Sequence, residues 1–185
     1  MDSKVIADDD TSWQSAVDGG AVFGLEMQHP WSQHLLCGKK TIEVRQYELP
    51  LALLGRTLYI IESRPGKDGI SALGDRIDFR VGNASTSSSG SDGMKNDSVV
   101  SIAGWCKFEC IRKYTSQSQF EQDENRHLVS STSGYAWQPG NTTNLYGWVV
   151  KDFYSFAGKS STENDGNAYC RGERRKRSIF ELYKT

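Results

Sequence analysis

The sequence predicts a small, β-rich α+β domain whose strands close into a barrel-like sheet carrying one or two short helices. Three observations predict it. Five runs (AVFGLEMQ, TIEVR, RTLYIIES, VVSIAGWCKFECI and LYGWVVKDFYSF) are continuously apolar or alternate with a period of two. Only two short stretches have helical character, after His29-Pro30 and over 118–127. Strands and helices do not alternate in the regular βαβ manner that builds a parallel sheet. A length of 185 residues suits one domain with its own core and is short for two.

The elements follow in order. Residues 1–19 hold Asp2, Asp8, Asp9, Asp10 and Asp18 against Lys4, and read as a disordered acidic tail whose one large aromatic, Trp13, can dock on the domain at 20–185. AVFGLEMQ at 21–28 is a first strand. Pro30 suits the first position of a two-turn helix, and Gly38 suits the position after its last turn. Trp31, Leu35 and Leu36 form its apolar face. In the next strand Ile42 and Val44 face one way and Thr41, Glu43 and Arg45 the other. ELPLALLG, a connection with room for a helical turn, leads to RTLYIIES at 56–63, whose apolar run predicts burial on both faces. GNASTSSSGSDGMKNDS at 82–98 is a low-complexity loop. VVSIAGWCKFECI at 99–111 alternates Val100, Ile102, Gly104, Cys106, Phe108 and Cys110 onto one face, with Gly104 marking a bulge or a close backbone approach. SQFEQDENRH is a short helix, LYGWVVKDFYSF a strand and 159–168 a second mobile loop. RRKRSIFELYK ends the chain as a strand preceded by a basic cluster.

Composition sets bounds on function. The hydrophobic fraction is 37%, with polar residues concentrated in the tail and loops. No apolar run approaches the ~18 residues of a membrane span, so no membrane partner is expected. The first residues, MDSKVIADDD, lack the apolar core of a secretory signal, and a cytoplasmic or nuclear protein is expected. The four cysteines then read as reduced thiols. Cys106 and Cys110, on one strand, would stand roughly 13 Å apart, too far to bridge. His29, His34 and His127 lack the spacing of a zinc site, and neither a metal nor another cofactor is expected. The formal net charge of −1 conceals an asymmetry, because outside the acidic tail 21 basic residues meet 18 acidic ones. Nucleic-acid binding on such a chain is local and pocket-like, without a broad basic footprint.

The densest chemistry lies at PWSQHLLCGKKTIEVR: a helix, a Gly-Lys turn, then a strand that sets Glu43 beside Arg45. Arg presents a planar fork for phosphate or a base edge, Lys a mobile point charge, and a carboxylate between them accepts from a base amine while fixing the Arg rotamer. An exposed structural ion pair is the plain alternative, and contributes only ~0–1 kcal/mol.

The stretch FGLEMQHPWSQHLLCGKKTIEVRQY resembles the signature of ASCH domains (activating signal cointegrator homology), which carry PW, an apolar helix and G-x-K-x-x-E-x-R on a PUA-like barrel. Gly38, Lys40, Glu43 and Arg45 complete that pattern, and the resemblance extends over roughly 21–156. It implies a cleft lined by Lys40, Glu43 and Arg45 that takes a nucleotide or a single-stranded RNA segment. Thr41, Trp31, Ser63 and Trp148 are further candidates for that cleft: Trp31 as a core anchor or a base-stacking wall, Trp148 and Tyr146 as core or cleft, Ser63 as the end of the third strand. Lys39 reads as solvent-facing and His127 as an ordinary loop histidine. In RGERRKR, Arg174, Arg175, Lys176 and Arg177 are phosphate-contacting candidates, a nuclear-import patch or a solvated run.

Three functional classes follow. The first is a non-catalytic RNA- or nucleotide-binding module. The second is a hydrolase acting on a modified nucleoside or RNA, with Lys40 and Glu43 as its acid–base groups. A bacterial branch of the family hydrolyses an acylated cytosine nucleoside through the motif lysine and a threonine three residues on, but that position here is Glu43. The third is a protein-interaction module in transcription coactivation or RNA processing, since the family includes a transcriptional coactivator.

Overall fold

The computed structural model describes residues 10–63, 73–79, 100–138, 144–157 and 169–184. The loops expected at 82–98 and 159–168 lie outside them. Eight strands form one mixed sheet: β1 (Val22–Gln28), β2 (Ile42–Arg45), β3 (Leu58–Ser63), β4 (Arg76–Asp78), β5 (Ser101–Tyr114), β6 (Leu145–Ser155), β7 (Tyr169–Lys176) and β8 (Ile179–Lys184). Their spatial order is β2-β6-β5-β3-β1-β8-β7-β4, and among the described residues only the β1–β3 pair is parallel. The expected barrel is therefore corrected to an open sheet: β2 and β4 are its two edges and do not pair with each other. The C-terminal hairpin β7–β8 extends the sheet beyond β1 instead of closing it onto β2.

Helices number more than the one or two expected: α1 (Asp10–Asp18), α2 (Trp31–Leu36), α3 (Gln117–Gln122) and α4 (Glu124–His127), with a 3-10 turn at Leu51–Leu53. None is long and apolar enough to cross a membrane. The first helix is a second correction, because composition predicts residues 10–18 as part of a disordered tail. Trp13, 3% exposed, packs into the core with its ring 5.5 Å from that of Phe23. One buried indole supplies the apolar burial that the rest of this polar segment lacks, and folding an aromatic of this size away from water offsets much ordering entropy. Arg175 completes the dock, its guanidinium 5.2 Å from the Trp13 ring and donating to Ser12 Oγ at 3.2 Å.

The central strands are buried on both faces, as the apolar run in β3 predicts. On β1, Phe23, Leu25 and Met27 join one core with Leu35, Leu58, Ile60, Phe108 and Trp148. Gly24 on the opposite face meets Ile61 and Leu182 of a second core, where an added Cβ would lie 2.5 Å from Ile61 Cδ1. A third cluster joins Val44, Tyr114, Phe120, Val129, Ala136 and Leu145 beside the β2 edge.

Gly104 marks the close approach its position predicts: a Cβ there would stand 2.2 Å from the Tyr154 carbonyl and 2.8 Å from Leu36 Cδ2. The alternation expected through Cys110 does not persist. Register shifts around Phe108 put Cys110 in solvent while Cys106 and Phe108 stay buried, since each extra residue on one strand reverses the face of those that follow. The strand β4 escaped sequence reading because three residues are too few for a periodicity to register. The basic cluster, read as a flank, is instead the end of β7 and the turn into β8.

Candidate nucleotide-binding cleft

The site is built where α2 hands over to β2. Pro30, after a cis peptide bond, caps α2 just outside its first residue. Gly38, at φ +76, ends the helix and donates to Leu35 O at 3.0 Å, the left-handed position predicted for it. The turn brings Lys40 N to His34 O at 2.8 Å and Thr41 N to Arg126 O at 2.9 Å, so α4 covers the sheet edge just before β2 begins. β2 then pairs with β6, Glu43 opposite Trp148 and Arg45 opposite Tyr146.

Lys40, Glu43 and Arg45 converge, Glu43 and Arg45 through the alternation of β2 and Lys40 from the turn before it. Glu43 Oε1 lies 2.8 Å from Arg45 Nε, whose N–H is not aligned to bond it, and Glu43 Oε2 lies 3.4 Å from Lys40 Nζ. Lys40, only 2% exposed, also donates to His127 O at 2.8 Å, with the Trp31 ring centre 5.3 Å away. Because Lys40 precedes the strand, strict alternation does not apply to it, and its long stem reaches Glu43 from the turn. Burial lowers its pKa below the ordinary lysine value; Glu43 opposes that shift and Arg45 adds to it. Arg45 donates through Nη1 to Ser178 Oγ and through Nη2 to Glu26 O, both at 2.9 Å. Burial disfavours its charge, but Glu43, Tyr47, Tyr135 and Glu26 outweigh burial and hold its pKa above the ordinary value.

These groups line a cavity of about 480 Å³, within the range of small-molecule sites. Val44 lines it together with Glu43 and Arg45, because β2 is an edge strand. One wall comes from the chain after α4, through Val129 and Tyr135. Asp123 fixes that wall by accepting from Tyr114 Oη at 3.0 Å, Arg112 Nη1 at 3.1 Å and Arg126 Nη1 at 3.3 Å. His127 is fully buried beneath it: Nε2–H donates to Phe120 O at 2.8 Å and Nδ1 accepts from Val129 N at 3.0 Å, a neutral tautomer. It is more than the loop histidine expected, since its carbonyl also anchors Lys40.

The opposite wall comes from the β7–β8 turn. Ser178 bonds both Arg45 and the Tyr47 hydroxyl. Arg174 lines the cleft but is turned inward, 3.6 Å from Glu26 Oε2 and 3.1 Å from Asp75 Oδ1, and donates to the carbonyls of Leu73 and Gly74. Arg175 pairs with Glu181 at 2.7 Å on the α1 side of the sheet, and neither it nor Lys176 lines the cleft. Among the other candidates, Trp31 is a half-buried wall. Trp148 is fully buried beneath Arg45, its ring centre 5.9 Å from that guanidinium, with its Nε1 unpaired among the described residues. Thr41 and Ser63 do not line the cleft, and Ser63 Oγ is buried without a bonding partner among the described residues.

Sequence reading missed Glu26, Tyr47, Tyr135 and Ser178. Glu26 carried a signal, as the one charge inside an apolar strand and 3% exposed. Tyr47, Tyr135 and Ser178 carried none, because their place at the cleft depends on contacts between distant segments. Among the described residues, no group of three His, Cys, Asp or Glu could hold a metal ion.

An open-sheet α+β protein with a lysine–glutamate–arginine cleft at one sheet edge is thus the class that fold and site define. The profile of the ASCH domain family matches residues 25–157, and the chain belongs to that family. Solved structures similar to it include the ASCH protein from Zymomonas mobilis, at 15% identity and a TM-score of 0.45 over 72% of this chain and 68% of that one. A single-substitution variant of the Zymomonas mobilis protein gives 14% identity and a TM-score of 0.47, covering 84% of this chain and 89% of the other. A second such variant gives 14% and 0.46, covering 84% and 91%. No curated protein matches the sequence.

Proposed function

We propose that the cleft binds a nucleotide unit, free or within single-stranded RNA, without transforming it. The observation that carries this reading is the clamped carboxylate: Glu43 is held between Lys40 and Arg45 in a cavity walled by Trp31 and Tyr135. A carboxylate fixed by two cations is an acceptor of set direction for a base N–H or exocyclic amine. Flanking aromatics offer faces on which a base stacks whatever its identity. Membership of a family linked to RNA binding agrees with this reading.

Hydrolysis is the weaker reading. Lys40 is already committed to Glu43 and the His127 carbonyl. Among the described residues, the one Ser or Thr in the cleft wall, Ser178, is tied to Arg45 and Tyr47. A hydroxyl nucleophile needs a base within reach and freedom to attack.

The test is binding of a fluorescent single-stranded RNA pool, with double-stranded DNA as competitor, to the wild-type protein and to Glu43→Gln and Arg45→Ala. Binding by the wild type that either substitution removes, while the circular dichroism spectrum is kept, supports the reading. Absence of binding at low salt removes it and leaves the protein-interaction module in its place.

A further inference from the structure

The hairpin β7–β8 lies beyond residue 157, where the family match ends, yet its turn supplies part of the cleft wall. Lys176 and Ile179 pair, leaving a two-residue loop, Arg177-Ser178. Ser178 points inward to Arg45 and Tyr47. Arg177 stays exposed on the rim, its guanidinium 5.1 Å from the Tyr47 ring centre. Its φ is +44°, in the left-handed region where the first residue of a hairpin loop is ordinarily Gly or Asn. Arginine gains nothing from that backbone conformation, and strain of this kind is retained where surrounding structure imposes it. Here Arg174 Nη1 holds the Arg177 carbonyl and Glu26 N donates to the Ser178 carbonyl at 2.8 Å.

Charge separates Arg177 from the other cations of the cleft. Lys40 and Arg45 share Glu43, and Arg174 lies against Glu26 and Asp75. Arg177 alone has no carboxylate within ion-pair distance among the described residues. A guanidinium laid against an aromatic ring keeps its N–H edge open and its orientation fixed, the arrangement that suits a tetrahedral dianion.

We infer that Arg177 reads a phosphate: the cleft takes a nucleoside carrying a single phosphate, with the base against Glu43 and the phosphate on the Arg177 fork, in preference to the bare nucleoside. The inference rests on the nucleotide-binding reading above and adds to it the phosphorylation state of the ligand. One unneutralised cation matches one phosphate, which favours a monophosphate over a di- or triphosphate.

Calorimetric titration of the full chain with the four ribonucleosides and their four 5′-monophosphates tests it. A charge-assisted fork predicts that a monophosphate binds roughly tenfold or more tightly than its nucleoside. Arg177→Gln brings the two within about twofold without weakening the nucleoside, and Arg177→Lys keeps part of the preference, because a point charge replaces a fork. Equal binding of nucleoside and monophosphate by the wild type, or a preference that survives Arg177→Gln, overturns the inference and leaves the nucleotide-binding reading standing. An RNA pool that binds where no monophosphate does also overturns it. Failure of all eight compounds and of the RNA pool removes the nucleotide-binding reading itself.

Discussion

The hydroxyl of Ser178 accepts a hydrogen bond from Arg45 Nη1 at 2.9 Å, joining residues 133 positions apart. Arg45 is thereby held from two directions: from within its strand by Glu43, and from the far end of the chain by the hairpin turn. The rotamer of the central cleft cation therefore depends on the last two strands.

Ser178→Ala removes the acceptor for Arg45 and the partner of the Tyr47 hydroxyl together. A loss of about 1–3 kcal/mol in unfolding free energy is expected, the cost of leaving buried polar groups unpaired. Urea denaturation measures it. RNA or nucleotide affinity falls in the same variant, because Arg45 is released.

Glu43→Gln leaves the buried Lys40 and the half-buried Arg45 as neighbouring cations without their counter-ion. Breaking a buried pair in this way costs about 3–5 kcal/mol, less whatever Lys40 recovers by giving up its proton. Lys40→Met is the milder change, because Glu43 retains Arg45 at 2.8 Å. Chemical denaturation should therefore rank wild type, then Lys40→Met, then Glu43→Gln in falling stability. A Glu43→Gln protein as stable as wild type would show that the network is solvated.

His127 supplies a pH dependence. Burial, more than any neighbouring charge, lowers its pKa below the ordinary histidine value of about 6.5. The unfolded chain then takes up this proton at a higher pH than the folded one, so stability falls as pH drops below 6.5 toward the folded pKa. Within that window one such group contributes a slope of up to about 1.4 kcal/mol per pH unit. His127→Gln should flatten this part of the stability–pH curve. His34, also lowered by burial and by Lys39 and Lys40, serves as the comparison: its side chain lies in the last turn of α2.

Trp13→Ala should cost about 3–5 kcal/mol, the loss expected for a large buried aromatic. Limited proteolysis should then cut within 10–18 of the variant under conditions that spare the wild type. Unchanged stability would mean that α1 is an ornament on a core complete without it.

A shallow salt dependence should accompany RNA binding. With Arg174 and Arg175 already ion-paired, few phosphates are neutralised, and a slope of log K against log salt near −1 is expected for one or two contacts to a single strand. Filter binding over a salt series measures it; a slope several times steeper would place the nucleic acid on a broader basic surface.

By itself the sequence determined the parts of this protein governed by local rules. Continuous apolar runs or period-two alternation placed β1, β2, β3, β5 and β6. Gly38 marked the end of α2, Gly104 a bulge or close approach, and alternation set Glu43 beside Arg45. Those readings hold because side-chain direction within a strand and backbone freedom at a glycine are fixed over a few residues. Only the tertiary structure decided that Trp13 makes residues 10–18 helical, that the sheet stays open, and that register shifts at Lys151 of β6 and Glu109 of β5 leave Cys110 facing outward. It also decided the use of the basic cluster: neighbouring arginines in one run have separate fates, with Arg174 spent on Glu26 and Asp75, Arg175 on Trp13 and Glu181, and Arg177 left on the cleft rim over Tyr47. In the sequence those arginines are equivalent. Their roles are set by the carboxylates and rings that other segments bring within a few ångströms, and sequence spacing carries no record of those distances.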